Sequence, residues 1–205
     1  MPYIALLNSP EETKKPHETV PVIKGTALFN KDKMVGLLDE QHTRGLLWLK
    51  DKIQKSTVSI IPEGEDGQIT VTPTLGKVNY TPEIKGDTWK LKLKVDMEGD
   101  IVQNETHLNL MNDSILNEVK NKLEEKLKNR ISETIDILQS EYRVDVAEFG
   151  RRFHEKYPQE WKEVKHQWND QKFPEIEIEI DVAATINNPG YIGPPAAWPR
   201  DEVEE

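Results

Sequence analysis

The 205-residue chain carries a formal charge of −10 and no cysteine. A phosphate-backbone binder needs a basic stripe, so the acidic balance argues against nucleic acid. The missing thiols exclude disulfides, thiolate nucleophiles and cysteine-based zinc or iron–sulfur centres. Charge is also unevenly spread: residues 1–56 hold nine Lys/Arg against seven Asp/Glu (+2), and the remainder holds 18 against 30 (−12). That asymmetry points to two modules, the second distinctly acidic.

In chain order, Pro2–Leu7 (PYIALL) reads as a short apolar strand, and Asn8–Val20, with two prolines and five charges, as a loop. Val22, Ile23 and Thr26–Phe29 predict a second strand, Asn30–Lys33 a turn, and Met34–Leu38 the returning strand. The segment EQHTRGLLWLKDKIQ after Asp39 predicts a helix. Asp39 is its cap, Leu46, Leu49 and Ile53 recur at helical spacing, and Gly45 is a local weakness.

A different pattern begins at Thr57. Thr57–Ile61 and Gln68–Leu75 read as strands separated by the turn at 63–67. Asp87–Glu98 alternates, with Trp89, Leu91, Leu93, Val95 and Met97 on one face and Lys90, Lys92, Lys94, Asp96 and Glu98 on the other. Ile115, Val119, Leu123, Leu127, Ile131, Ile135 and Leu138 then mark the apolar stripe of a long helix, capped by Asn112 or Asp113. Asp145–Tyr157 and Pro158–Trp168 follow as helical pieces with a bend at Pro158.

The last strand, Glu175–Ile186, sets Ile176, Ile178, Ile180, Val182, Ala184 and Ile186 opposite Glu175, Glu177, Glu179 and Asp181. Its glutamate row and the lysine row of the Trp89 strand match as a ladder of opposite charges, which predicts that the two strands are neighbours. The Pro- and Gly-rich acidic tail over 188–205 is expected to be extended or disordered. The expected fold class is α+β: a small strand/helix module at 1–56, then a larger module at 57–187 of mostly antiparallel sheet packed with long amphipathic helices.

Catalytic constellations do not emerge. The five histidines, His17, His42, His107, His154 and His166, lack a metal-ligand spacing, and His154–Glu155 has Pro158 where a metalloprotease helix needs its second histidine. There is no G-x-S-x-G elbow and no phosphate-binding glycine loop, and the carboxylate row 175–179 reads as a solvated face. No catalytic residue, metal or cofactor is therefore assigned. Trp161 and Trp168 are candidates for a ligand-stacking groove, although two helices pinned to a sheet by large aromatics is the simpler reading.

Two stretches carry a family resemblance. GTALFNKDKMVGLLDEQHTRGLLWLKDKI resembles the central signature of Ger(x)C spore germination proteins, the C subunits of nutrient germinant receptors. VDVAEFGRRFHEKYPQEWKEVKHQWNDQKFPEIEIEIDV resembles their C-terminal signature, in which an aspartate and Phe-Gly lead into a helix, then a Pro-containing Trp helix and a final strand. The likeness spans roughly residues 20–186.

That resemblance implies a non-enzymatic subunit of a membrane receptor that helps trigger germination. Its partners would be the integral-membrane A and B subunits, and its location the outer surface of the spore inner membrane. It also implies a lipid-modified cysteine and an N-terminal module; without a cysteine, the chain is expected to be a soluble fragment lacking both. Within the first signature, Gly25, Phe29, Gly36 and Leu38 are expected to build turns and core, and Asp39, Glu40, Arg44 and Trp48 to contact partners. The competing expectation is a module that binds a nutrient or cell-wall fragment directly, beside Trp161 and Trp168. Charge alone turns the less acidic first module toward an anionic bilayer.

Overall fold

A computed structural model describes residues 24–53 and 56–189. The expected strand at Pro2–Leu7, the loop at 8–20, the residues Val22 and Ile23, and the tail beyond 189 lie outside the described residues. The fold is α+β, with a two-stranded sheet of order β1-β2 and a four-stranded sheet of order β3-β4-β5-β6. Two compact units divide the described residues: 24–47 with 81–91 and 130–179, and 48–80 with 92–129 and 180–189. The longest strands and the longest helix each contribute residues to both units.

In the first unit, β1 (Thr26–Asn30) and β2 (Lys33–Leu38) pair antiparallel. The helix α1 (Glu40–Leu49) follows. Asp39 caps it as the sequence predicts, its Oδ1 accepting the His42 backbone N–H at 2.9 Å. The helix stops at Leu49, short of the expected 54, because Asp51 turns left-handed (φ 52°). Within the second unit Asp51 instead accepts the Val78 N–H at 2.7 Å, and Tyr80 Oη donates to the Leu49 carbonyl.

β3 (Val58–Ile60), β4 (Ile69–Lys85) and β5 (Thr88–Asn104) come next, the last two joined through Gly86 at φ 58°. Both long strands exceed their expected lengths. Pro73, Gly76 and Pro82 conceal the continuation of β4, yet β3 pairs only with Ile69–Val71, so both prolines lie beyond that pairing, where a missing N–H costs least. On β5 the alternation is as expected: Trp89, Leu91, Leu93, Val95 and Met97 are all buried.

The helix α2 (Asp113–Ile137) opens on Asn112, whose Oδ1 accepts the Ser114 N–H at 2.9 Å. Its stripe Val119, Leu123, Leu127, Ile131 and Ile135 is buried throughout. In the second unit its polar side chains reach both edge strands. Lys126 Nζ donates to the Ser59 carbonyl of β3 at 2.6 Å, and Glu124 Oε1 accepts the Ala184 N–H of β6 (Glu177–Asn188) at 2.9 Å.

β5 and β6 are neighbours, as the charge rows predict. Lys90 pairs with Glu179 at 2.5 Å, and Asn187 donates to Glu98 at 3.2 Å. Both partners advance by eight (90 to 98, 179 to 187), so these strands run parallel, and the intervening helices supply the crossover that parallel neighbours require. The remaining contacts of the sheet are antiparallel: β3 with β4, and β4 with β5 through their tight turn.

Candidate functional site

The second signature folds into one aromatic cluster in the first unit, around Asp145. α2 ends in a π-helical turn, Leu138–Tyr142, and Arg143 then turns left-handed. The helix α3 (Phe149–Lys156) starts at Glu148, whose own φ of 64° denies it a side-chain cap. Asp145 supplies the acceptors from upstream: Oδ1 takes the Phe149 N–H at 2.9 Å and Oδ2 the Gly150 N–H at 2.7 Å. These are orphan donors of the first turn, and a carboxylate there also meets the positive end of the helix dipole. Trp168 Nε1 donates to the same Oδ2 at 2.9 Å, and the Asp145 N–H is held by Asn169 Oδ1 at 3.0 Å. Burial pushes the Asp145 carboxyl above its ordinary value; the Gly150, Phe149 and Trp168 donors pull the other way.

Around that anchor, Trp168 lies 4.9 Å from Trp161, 5.7 Å from Phe153, 6.1 Å from Trp89 of β5 and 6.2 Å from Phe173, centroid to centroid. Gly150 is required, since a β-carbon would press on the rings of Trp161 and Trp168. α4 (Pro158–Val164) begins at the proline, as predicted, and is followed by a second π-helical turn, Trp168–Lys172, and a short helical turn α5, Phe173–Glu175. Lys156 Nζ reaches the Pro82 carbonyl at 2.8 Å, and Lys172 Nζ reaches the Asp87 carbonyl at 3.1 Å, tying these helices to the tip of the β4–β5 hairpin.

The expected groove residues therefore part company. Trp168 is 6% exposed and surrounded by rings, so it is core and cannot form the wall of an open groove. Trp161 is half-buried and stacks on His154 at 5.9 Å. The simpler reading, aromatics pinning helices to a sheet, describes this cluster. Asp145, not among the residues the sequence singles out, is the anchor of the cluster. Its signal was the spacing to Phe149 and Gly150, four and five residues on, which lets one carboxylate span both first-turn amides.

The expected partner contacts also separate. Asp39 receives His42 Nδ1 at 2.7 Å, and the His42 backbone N–H holds its carboxyl below the ordinary value. Glu40 and Arg44 form an i,i+4 pair at 2.5 Å on the exposed side of α1. Trp48 is different: it has no exposure, its Nε1 finds no hydrogen-bond partner, and in the second unit its ring leaves no room for a β-carbon at Gly76. It is a core residue, and its assignment as a surface contact does not stand. Gly25 and Gly36 are steric glycines, as expected: a β-carbon would meet the Leu38 carbonyl at the first and the Tyr142 ring at the second. Among the described residues no group of His, Asp or Glu has the arrangement of a metal site.

This fold matches a solved structure, the crystal structure of the GerBC protein, with a TM-score of 0.75 over 84% of this chain and 54% of that one, at 23% identity. Residues 24–190 match the family described as spore germination B3/GerAC like, C-terminal, and the chain belongs to that family. Three proteins of Bacillus subtilis (strain 168) are similar to this chain. Spore germination protein YndF is 27% identical over 82% of this chain and 42% of its own length. Spore germination protein KC is 23% identical over 81% and 41%, and spore germination protein B3 26% over 89% and 47%. The chain thus spans less than half the length of these relatives.

Proposed function

We propose that this chain is part of the C subunit of a nutrient germinant receptor and acts as a non-enzymatic scaffold in spore germination. Its partners are the integral-membrane A and B subunits, and a lipid anchor outside residues 24–190 holds the subunit at the outer surface of the spore inner membrane. Family membership across 24–190 and relatives named as spore germination proteins support the germination role.

The observation that carries the scaffold reading is the use made of Asp145. Both of its oxygens are engaged by amides of its own helix and by Trp168, so the best-sheltered carboxylate in the second signature joins helices and leaves no vacant acceptor for a substrate. A general acid or base needs a proton path to a reacting group.

Co-purification of the full-length subunit with A and B, alongside ligand-observed NMR of this chain with amino acids and sugars, tests the proposal. A stable complex without saturable ligand binding is the expected result. Saturable binding of an amino acid or sugar by the chain alone would move recognition into this subunit and overturn the scaffold role.

A further inference from the structure

Asp66 is the only aspartate in the chain that is followed by glycine. The pair lies in the loop between β3 and β4, outside any helix or strand, and Asp66 is exposed. Among the described residues, neither the Asp66 carboxylate nor the Gly67 N–H has a hydrogen-bond partner. Other aspartates are placed differently. Asp39, Asp51 and Asp145 each accept a backbone N–H, and Asp113 and Asp136 belong to α2. At position 66 an unoccupied carboxyl stands next to a nitrogen that no side chain crowds. The backbone there can rotate without breaking a ladder bond.

The flanks of the pair are held. Glu65, its side chain only 8% exposed, accepts the His107 N–H through Oε2 at 2.9 Å, and the same oxygen lies 3.4 Å from His107 Nδ1. On the other side, the Gln68 carbonyl accepts the Glu105 N–H at 2.9 Å, and a β-carbon on Gly67 would overlap the Glu105 carbonyl. Glu105 and His107 belong to the short stretch that leads from β5 to α2. These contacts clasp the β3–β4 loop to that stretch and fix the length of backbone between Glu65 and Gln68.

We infer that Asp66 is a site of spontaneous conversion to isoaspartate, and that the conversion opens the clasp at His107. The Gly67 nitrogen attacks the Asp66 side-chain carboxyl carbon. An N–Cγ bond forms, and the carboxyl hydroxyl leaves as water with the amide proton. Water then opens the five-membered imide. Addition at Cγ restores aspartate, whereas addition at the main-chain carbonyl carbon leaves the chain running through Cβ and Cγ. The net reaction is an isomerisation that consumes no oxidant and no cofactor. Its product has one more backbone atom between the two held flanks. The Gln68–Glu105 bond extends the pairing of β4 with β5, but Glu65 holds His107 by a side chain alone, so release of Glu65 takes up the added length. The inference is independent of the scaffold role and of the membrane location.

Trypsin frees the peptide 56–77, which contains Asp66 and no other aspartate or asparagine. The folded chain and a synthetic 56–77 peptide are incubated side by side at neutral pH and 37 °C. Isomers of the peptide are then separated by reversed-phase chromatography and assigned by electron-transfer fragmentation. Isoaspartate at 66 should accumulate in the folded chain at a rate comparable with the free peptide. It should be absent from D66E, whose imide needs a six-membered ring. In the isoaspartyl fraction, amide exchange at His107 should be about tenfold faster than in the unaged chain, while aged D66E keeps the unaged value. A folded chain that retains aspartate at 66 would overturn the site. Isoaspartate with His107 exchange unaltered, or equal loosening in aged D66E, would overturn the opening of the clasp.

Discussion

Gly45 on α1 meets Thr134 on α2 with no room for a β-carbon between them. Thr134 Oγ1 donates to the Arg130 carbonyl at 2.8 Å and lies 3.4 Å from the His42 carbonyl, so the crossing is polar as well as close. Intrinsic helix propensity favours Ala over Gly by about 1 kcal/mol. Here the overlap with Thr134 and the Arg130 carbonyl wins, and Gly45→Ala is expected to cost about 1–3 kcal/mol, as overpacking does. Urea unfolding decides the sign. A more stable G45A would mean that the two helices are not held this closely.

Asp145 should leave a pH signature. Its folded-state carboxyl lies above the ordinary value, so the folded protein takes up this proton more readily than the unfolded chain. The resulting stability is fully present below the ordinary carboxyl range and is lost as pH rises through the raised folded value. Asp145→Asn removes that titration and strands at least one donor, costing about 1–3 kcal/mol for a buried unsatisfied group. Unfolding free energies measured from pH 4 to 8 should show the gap between wild type and D145N widening as pH falls. A gap that narrowed toward pH 4 would reverse the assigned direction.

Asp39 carries the opposite sign. Its carboxyl is held low, chiefly by the His42 amide, so its contribution is present above the ordinary carboxyl value and disappears as pH falls through the folded one. Asp39→Ala should cost about 1 kcal/mol, the usual loss for an N-cap. Asp39→Asn should restore most of it while abolishing the acid dependence. Thermal unfolding of the three proteins at pH 3 and pH 7 separates the cap from its charge.

These cases also mark what the sequence could say. Periodicity revealed β5, the α2 stripe and the pairing of β5 with β6, because one buried face leaves a period of two or four and the wet faces carry matching charge rows. Asp39 was legible as a cap because capping is a local rule. Trp48, between Leu47 and Leu49, reads both as part of the helix's apolar side and as a partner contact, and only the strand carrying Gly76, closing over it, decides for core. β4 was half-hidden by Pro73, Gly76 and Pro82, whose tolerance depends on how little of β4 is paired by β3. Asp145 lay in the quoted signature, but its role depends on Trp168 folding back to it, and that is tertiary information.

The Lys90–Glu179 pair tests whether charge matching assists strand pairing. The partners lie on neighbouring strands at 2.5 Å, with Glu179 about half exposed, and Glu179 is the main reason the Lys90 ammonium is held above its ordinary value. A double-mutant cycle with Lys90→Ala and Glu179→Ala should give a favourable coupling at low ionic strength that fades in 0.5 M salt, because exposed charges are screened over about 10 Å already at 0.1 M. Coupling unchanged by salt would assign the pairing to packing alone.

The two edges of the four-stranded sheet make the last prediction. β3 and β6 are its outer strands, and α2 sends one side chain to each: Lys126 occupies the Ser59 carbonyl and Glu124 the Ala184 N–H. Unpaired edge groups template pairing with another chain, and a charged side chain bonded to the edge blocks that approach. Lys126→Met keeps the aliphatic stem and removes the donor; Glu124→Leu removes the acceptor. Each should change unfolding free energy by only about 1 kcal/mol, the worth of one hydrogen bond, whereas self-association should respond more strongly, because it depends on the edge itself. Light scattering during incubation below the melting temperature should therefore show the double variant aggregating faster than a control of equal stability, such as a conservative core substitution. Equal rates would mean that these bonds merely decorate the helix, and that the shortness of β3 protects its edge.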